Sequence, residues 1–266
     1  MGPLQGLKIL EFAGIGPGPF CGMLLADLGA EVIRLDKSST HGNHNKADIH
    51  NRNKKSITAD LKNPESIIEI KKLISQMDGI FEGFRPGVME RLGLGPDECL
   101  KLNESLVYGR MTGWGQEGPM ANQSGHDINY IALSGVLDSM GRKGENPQPP
   151  LNLVGDFGGG GMLLAVGMLS AFIHAQKTGE GQVVDAAMID GSSMLMSMFY
   201  SFKAMGFWSN DKESNLLDGA AHFYDTYECS DRKHIAIGSI EPKFYAELLE
   251  KLEIDDEEFL DQMNSC

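Results

Sequence analysis

Apolar positions alternate between two rhythms along most of the chain. Residues 7–12, Leu7-Lys8-Ile9-Leu10-Glu11-Phe12, read as a short buried strand. Phe20, Leu24, Leu25 and Leu28 then share one face at helical spacing. Pro19 suits the first turn of that helix, where a missing N–H costs nothing, and Gly29 closes it. Residues 31–36 form a second strand, and the right-handed crossover rule makes the two strands parallel. Residues 38–54 are polar and rich in His, Asn and Lys, as in a surface loop. A third strand is predicted over 55–60, a helix from Asn63-Pro64 to about Gln76, and a fourth strand over 78–84. Short helices follow at 88–92 and 97–102, then a fifth strand at 106–111. Strands alternating with helices predict an α/β fold around a parallel sheet.

Residues 112–125 read as loop, 127–140 as helix and 141–150 as a proline-rich loop. The uncharged run 157–176 approaches membrane-spanning length, but its strongly apolar part covers only 162–173. It opens with four glycines and is predicted to be a buried core helix. A strand at 181–187 and a Met-rich helix at 191–205 follow, the methionines serving as packing. Beyond Trp208 the pattern changes to a hairpin of 223–228 and 234–240, a helix from Pro242 to about Leu252, and a further helix at 255–263. The expected organisation is a large Rossmann-like domain over 1–204, a linker over 205–222 and a smaller α+β domain over 223–266.

Composition narrows the chemistry. Among 266 residues the net charge is −14, which argues against a nucleic-acid partner while leaving room for a local basic pocket. Cys21, Cys99, Cys229 and Cys266 form no CxxC pair, so neither a disulfide framework nor a zinc site is signalled. No basic and apolar leader opens the chain, and an intracellular protein is expected. Gly14 and Gly16 after a strand, with Asp36 ending the next, imitate a dinucleotide fingerprint. Pro19 stands where the third glycine belongs, and Pro17 and Pro19 remove donors that a pyrophosphate would need. His41, His44 and His50 lie in a polar loop without a second ligand cluster, and no metal is expected. His174 and His222 read as structural. There is no GxSxG elbow and no Walker loop.

Several separate segments agree in order with one family. Leu4-Gln5-Gly6-Leu7, Gly16-Pro17-Gly18-Pro19-Phe20-Cys21, Asn53-Lys54-Lys55-Ser56, Phe84-Arg85-Pro86-Gly87-Val88 and Thr112-Gly113-Trp114-Gly115 resemble the family III CoA-transferases. Gly125-His126-Asp127-Ile128-Asn129-Tyr130, Gly155-Asp156-Phe157 and Ile240-Glu241-Pro242 resemble the racemases of that superfamily. The resemblance implies the family III CoA-transferase fold, with an interlocked homodimer. It implies interconversion of (2R)- and (2S)-2-methylacyl-CoA thioesters by 1,1-proton transfer through an enolate, in branched-chain fatty acid and bile acid intermediate metabolism. No cofactor is implied, since CoA is part of the substrate, and no membrane span. The location would be a peroxisome or mitochondrion in an animal and the cytoplasm in a bacterium.

Epimerisation needs an acid and a base on opposite faces of one carbon, and a donor for the enolate oxygen. By the resemblance His126 and Asp156 are the pair, and the backbone N–H of Asp127, at a helix start, is the oxyanion donor. In the transferases the aspartate equivalent to Asp127 is instead the nucleophile, and that activity stands as the alternative. Plain helix capping is a further reading for Asp127, Asp156 and Glu241. The resemblance gives Glu241 the task of supporting the histidine, from the partner subunit. It assigns Lys37, Lys62, Arg85 and Arg91 to the CoA phosphates, although each could equally be a solvated charge. It places Ala59 and Leu61 near the adenine and Tyr130 near the thioester, and counts Asp60 and Gly125 among the CoA-binding residues. Relatives run on beyond Met263-Asn264-Ser265-Cys266 and return to the first domain. The small domain is therefore expected to be incomplete, the return absent and the chain less active than a complete homologue. A form that only binds is the third possibility.

Overall fold

The structure, a computed structural model, describes residues 2–40, 45–255, 259 and 261–262. The chain folds into two compact units, Met1–Ser134 with Leu151–Leu195, and Gly135–Pro150 with Met196–Cys266. Residues 135–150 and 196–204, which the sequence pattern placed with the large domain, thus belong to the second unit.

In the first unit, strands β1 (Lys8–Phe12), β2 (Glu31–Lys37), β3 (Lys54–Ala59), β4 (Gly79–Glu82), β5 (Val107–Thr112) and β6 (Gln182–Ala187) form one sheet in the order β3-β2-β1-β4-β5-β6. Every pairing is parallel. This is the order of a Rossmann sheet, and its topological switch point lies between β1 and β4. Helices cover both faces. Helices α1 (Pro17–Asp27) and α6 (Leu163–Thr178) pack with Ile9, Phe81 and Val107. Helices α2 (Pro64–Ile74), α3 (Val88–Arg91) and α4 (Pro96–Leu102) pack with Leu10, Ile80 and Tyr108 on the other face. Strand alternation explains the split: Ile9 and Leu10 point to opposite layers and both are fully buried. Sheets covered on both sides read as continuous apolar runs, which is why these strands were legible.

The helix predicted over 127–140 is shorter. Helix α5 (Asp127–Leu133) stops before Gly135, whose φ of +81° a helix cannot continue. The Met-rich helix is two helices, α7 (Met188–Leu195) directly after β6, and α8 (Ser197–Ala204), which opens in the second unit. Residues 153–178 form one continuous apolar helix, long enough by length and composition to cross a membrane. Leu164, Met168 and Phe172 are buried in the sheet core, as expected of a core helix. Its first part, Leu153–Met162, is π-helical, so the helix begins ahead of the uncharged run 157–176.

In the second unit β7 (Tyr224–Glu228) and β8 (His234–Gly238) form the predicted antiparallel hairpin, and α9 (Pro242–Leu252) follows. Phe223, Ala221 and Tyr245 make its small core, and Tyr245 meets the His222 ring at 2.7 Å. Arg142 bridges Glu213 and Asp225. Most of the helix expected at 255–263, and His41 and His44, lie outside the described residues.

Candidate active site

A cleft of about 700 Å³ opens outside the carboxyl ends of β1, β4 and β5. Open α/β sheets bind ligands at this place, because loops diverge there on either side of the switch point. Its walls come from residues 12–19 after β1, 81–86 around the end of β4, 111–114 after β5, and from Gly125, His126, Tyr130, Asn152 and Asp156. His126 and Asp156 are therefore two walls of one cavity, although 30 positions apart in the chain.

His126 is the N-cap of α5 and is exposed. Its backbone N–H donates to Asn129 Oδ1 at 3.0 Å, half of a capping box. Capping thus falls to position 126. Asp127 is the first helical residue, and its N–H is one that helix carbonyls leave over. Its side chain does not cap its own helix. Oδ1 accepts the backbone N–H of Asp156 at 2.7 Å, one of the donors stranded at the start of the π-helical segment. Asp127 is only 7% exposed. Burial raises its pKa, the Asp156 N–H works against that, and the nearby Asp156 carboxylate adds to it.

Asp156 is half-buried, with Oδ2 accepting from Asn152 Nδ2 at 3.1 Å. The helix that carries it is seated against bare backbone. A Cβ on Gly155 would collide with Asp127, one on Gly159 with Ser192, and one on Gly161 with Pro17 and Phe20. Gly191 on α7 would strike the Gly159 carbonyl. The four-glycine run is thus a packing surface that lets α1 and α7 approach the π-helical turn, a form common at functional sites. Across the cleft, Gly16 has a φ of +69°, and a Cβ there would sit 3.1 Å from Asp156 Oδ2.

Tyr130 is buried and packs edge-on against Trp114, with ring centroids 4.6 Å apart. Gly113 and Gly125 leave the space these rings occupy. Burial, then the Asp156 and Asp127 charges, raise the Tyr130 pKa. Arg85 is exposed and lines the same cleft. The remaining expected CoA contacts lie outside it. Lys37 and Ala59 are register partners at the ends of β2 and β3, and Ala59 lines a separate depression of about 400 Å³ with Leu35, Ile57 and Ile70. Asp60 accepts the Lys62 N–H at 2.9 Å, and Leu61 packs on the core. Arg91 is exposed on α3. Glu241 is the N-cap of α9 in the second unit, without a side-chain cap bond.

Glu82 escaped the sequence reading. It is 1% exposed, lines the cleft and accepts the Phe84 N–H at 2.6 Å. Burial pushes its pKa up to about 7, against the lowering effects of the Phe84 amide and Arg110. The signal was faint: an acid closing the otherwise apolar strand Gly79–Glu82. A second buried pair, Glu11 with Lys54 at 2.5 Å, ties β1 to β3, and Lys54 Nζ also holds the Pro19 carbonyl at 2.9 Å. Asp36 is committed to Arg34 and Ser56, so it is not presented to a ribose. No group of three metal-ligating side chains occurs among the described residues. His50 packs on Phe20 and Phe157.

The model of CoA-transferase family III matches residues 4–265. The chain is 45% identical to the α-methylacyl-CoA racemase of Mus musculus over 263 residues, covering 99% of this chain and 68% of that protein. It is 43% identical to the racemase of Homo sapiens, covering 98% and 68%. A crystal structure of a CAIB/BAIF family protein from Brucella suis superposes with a TM-score of 0.83 at 28% identity, covering 99% of this chain and 74% of that one.

Proposed function

The chain belongs to CoA-transferase family III, and we propose that within it the protein is a 2-methylacyl-CoA epimerase. The observation that carries this reading is the shared cleft of His126 and Asp156, with the Asp127 carboxylate engaged by backbone. In one direction, one of the two groups takes the C2 proton of the thioester. The electron pair moves into the carbonyl, giving an enolate whose oxygen accepts the Asp127 N–H at the positive end of α5. The other group then returns a proton to the opposite face, and the roles exchange for the reverse reaction. No redox step or group transfer occurs, so the reading requires no cofactor. Similarity to the two racemases supports the choice of substrate class.

The runner-up is CoA transfer through an Asp127 anhydride or thioester. It needs that carboxylate open to attack on a carbonyl, whereas here the group is buried and its Oδ1 accepts a main-chain N–H. The deciding experiment is incubation with (2R)-2-methylacyl-CoA in deuterium oxide. Deuterium at C2 with both epimers present is expected. CoA appearing on an added carboxylate without C2 exchange would install the transferase. Binding with neither reaction would leave only a ligand-holding protein. We further propose that the working unit is a homodimer in which Glu241 of one copy supports His126 of the other. Mixing inactive Glu241→Ala and His126→Ala chains should then restore part of the activity.

A further inference from the structure

Glu82 and Arg110 are register partners on the adjacent strands β4 and β5, and the Arg110 guanidinium faces two acids, Glu82 and Glu90. The Arg110 side chain is 9% exposed. Its Nε lies 3.3 Å from Glu82 Oε1, and its Nη1 donates to Glu90 Oε1 at 2.8 Å. The guanidinium carbon stands 5.9 Å above the Tyr108 ring. Both acids lead to a cation. The second oxygen of Glu82 accepts the Phe84 N–H and so fixes the turn that brings Arg85 into the cleft. Glu90 immediately precedes Arg91 on α3.

Buried charge is costly, and an apolar side chain at position 110 would pack at less expense. A buried guanidinium with two acids has a use beyond stability if it fixes the loops those acids carry. We propose that Arg110 is a positioning residue for anion binding. Through Glu82 it sets the turn that presents Arg85 to the cleft, and through Glu90 it anchors α3, which follows that turn, so that Arg85 meets the phosphates of the CoA nucleotide. This rests on the reading above that the substrate is a CoA thioester. Lysine cannot serve both acids, because it lacks the planar fork of donors.

The test measures binding of CoA and of a 2-methylacyl-pantetheine thioester, which lacks the nucleotide, to the full chain and its variants. Arg110→Lys should weaken CoA binding about tenfold, raise KM accordingly, and leave pantetheine binding and kcat within about twofold. Glu90→Gln, on a partly exposed side chain, should weaken CoA binding about threefold with the same selectivity. Equal losses for both ligands, or no loss for either, would overturn the proposal. If Arg110→Lys does not fold, Glu90→Gln decides by the same criterion. Wild-type protein that binds CoA no more tightly than the pantetheine thioester would instead overturn the CoA reading, and the proposal with it.

Discussion

The Asp127 carboxylate and the Asp156 main-chain N–H are joined at 2.7 Å, which ties the start of α5 to the start of the π-helical segment. One bond thereby sets the spacing of the two cleft walls that carry His126 and Asp156. Asp127→Ala strands a donor in a buried place, at about 1–3 kcal/mol. Asp127→Asn keeps an oxygen for it. The alanine variant should lose thermal stability and most C2 exchange, whereas the asparagine variant should keep the majority of its exchange. A carboxylate nucleophile would be lost in both.

His126→Gln should abolish epimerisation by about two to four orders of magnitude while leaving its partner able to take a proton from one face. Exchange into solvent would then proceed from one epimer only, and Asp156→Asn should show the opposite preference. Chiral chromatography of deuterated product separates the two cases. Loss of exchange from both epimers in either variant would contradict paired acid and base.

Gly16→Ala puts a side chain at a φ of +69° and beside Asp156 Oδ2. The backbone strain alone should cost about 1 kcal/mol or more. Displacement of the carboxylate should lower kcat beyond that. Gly18→Ala, where a Cβ meets nothing, should leave kcat nearly unchanged. Urea unfolding of the Gly16 variant reads the stability loss and its turnover reads the displaced carboxylate, with Gly18→Ala as the control for an added methyl group.

Glu82 holds its proton up to about pH 7 in the folded chain, against an ordinary value of 4.5. The folded state therefore binds more protons between these values. This group's contribution is fully present below pH 4.5 and is lost as pH rises to about 7. The full change is on the order of 3 kcal/mol. Glu82→Gln should flatten that part of the stability profile measured by urea unfolding between pH 5 and 8. An unchanged slope would show that the carboxylate is already ionised at pH 5.

Lys54→Met leaves Glu11 buried without its cation and should destabilise by about 3–5 kcal/mol. Glu11→Leu combined with Lys54→Met should recover most of that. The double variant still lacks the Lys54 hold on the Pro19 carbonyl. Turnover should accordingly recover less than stability does.

Strands were legible because burial on both faces demands mostly apolar runs, as in Lys8–Phe12 and Val107–Thr112, where single charges such as Glu11 and Arg110 interrupt the apolar side chains. Helix lengths were less so. The apolar spacing past Leu133 continues, but one glycine with a left-handed backbone ends α5 and sends the chain into the second unit. The cleft pair was readable through family resemblance, since nothing in the spacing of His126 and Asp156 reports that a sheet brings them together. Glu82 and Arg110 were invisible for a related reason. Strand neighbours at matching register are distant in sequence, and a lone charge in a strand does not announce its partner. The π-helical turn packs closely on α1 and α7, and four glycines in a row do not announce those neighbours in the sequence.

The glycines around Asp156 have a consequence for how the sequence of this region can change. Any carbon added at Gly155, Gly159 or Gly161 meets a neighbour already at contact. The backing behind the Asp156 wall is thus a fixed rail. Change in the shape of the cleft falls instead to exposed residues that line it, such as Gln123 and Ser124.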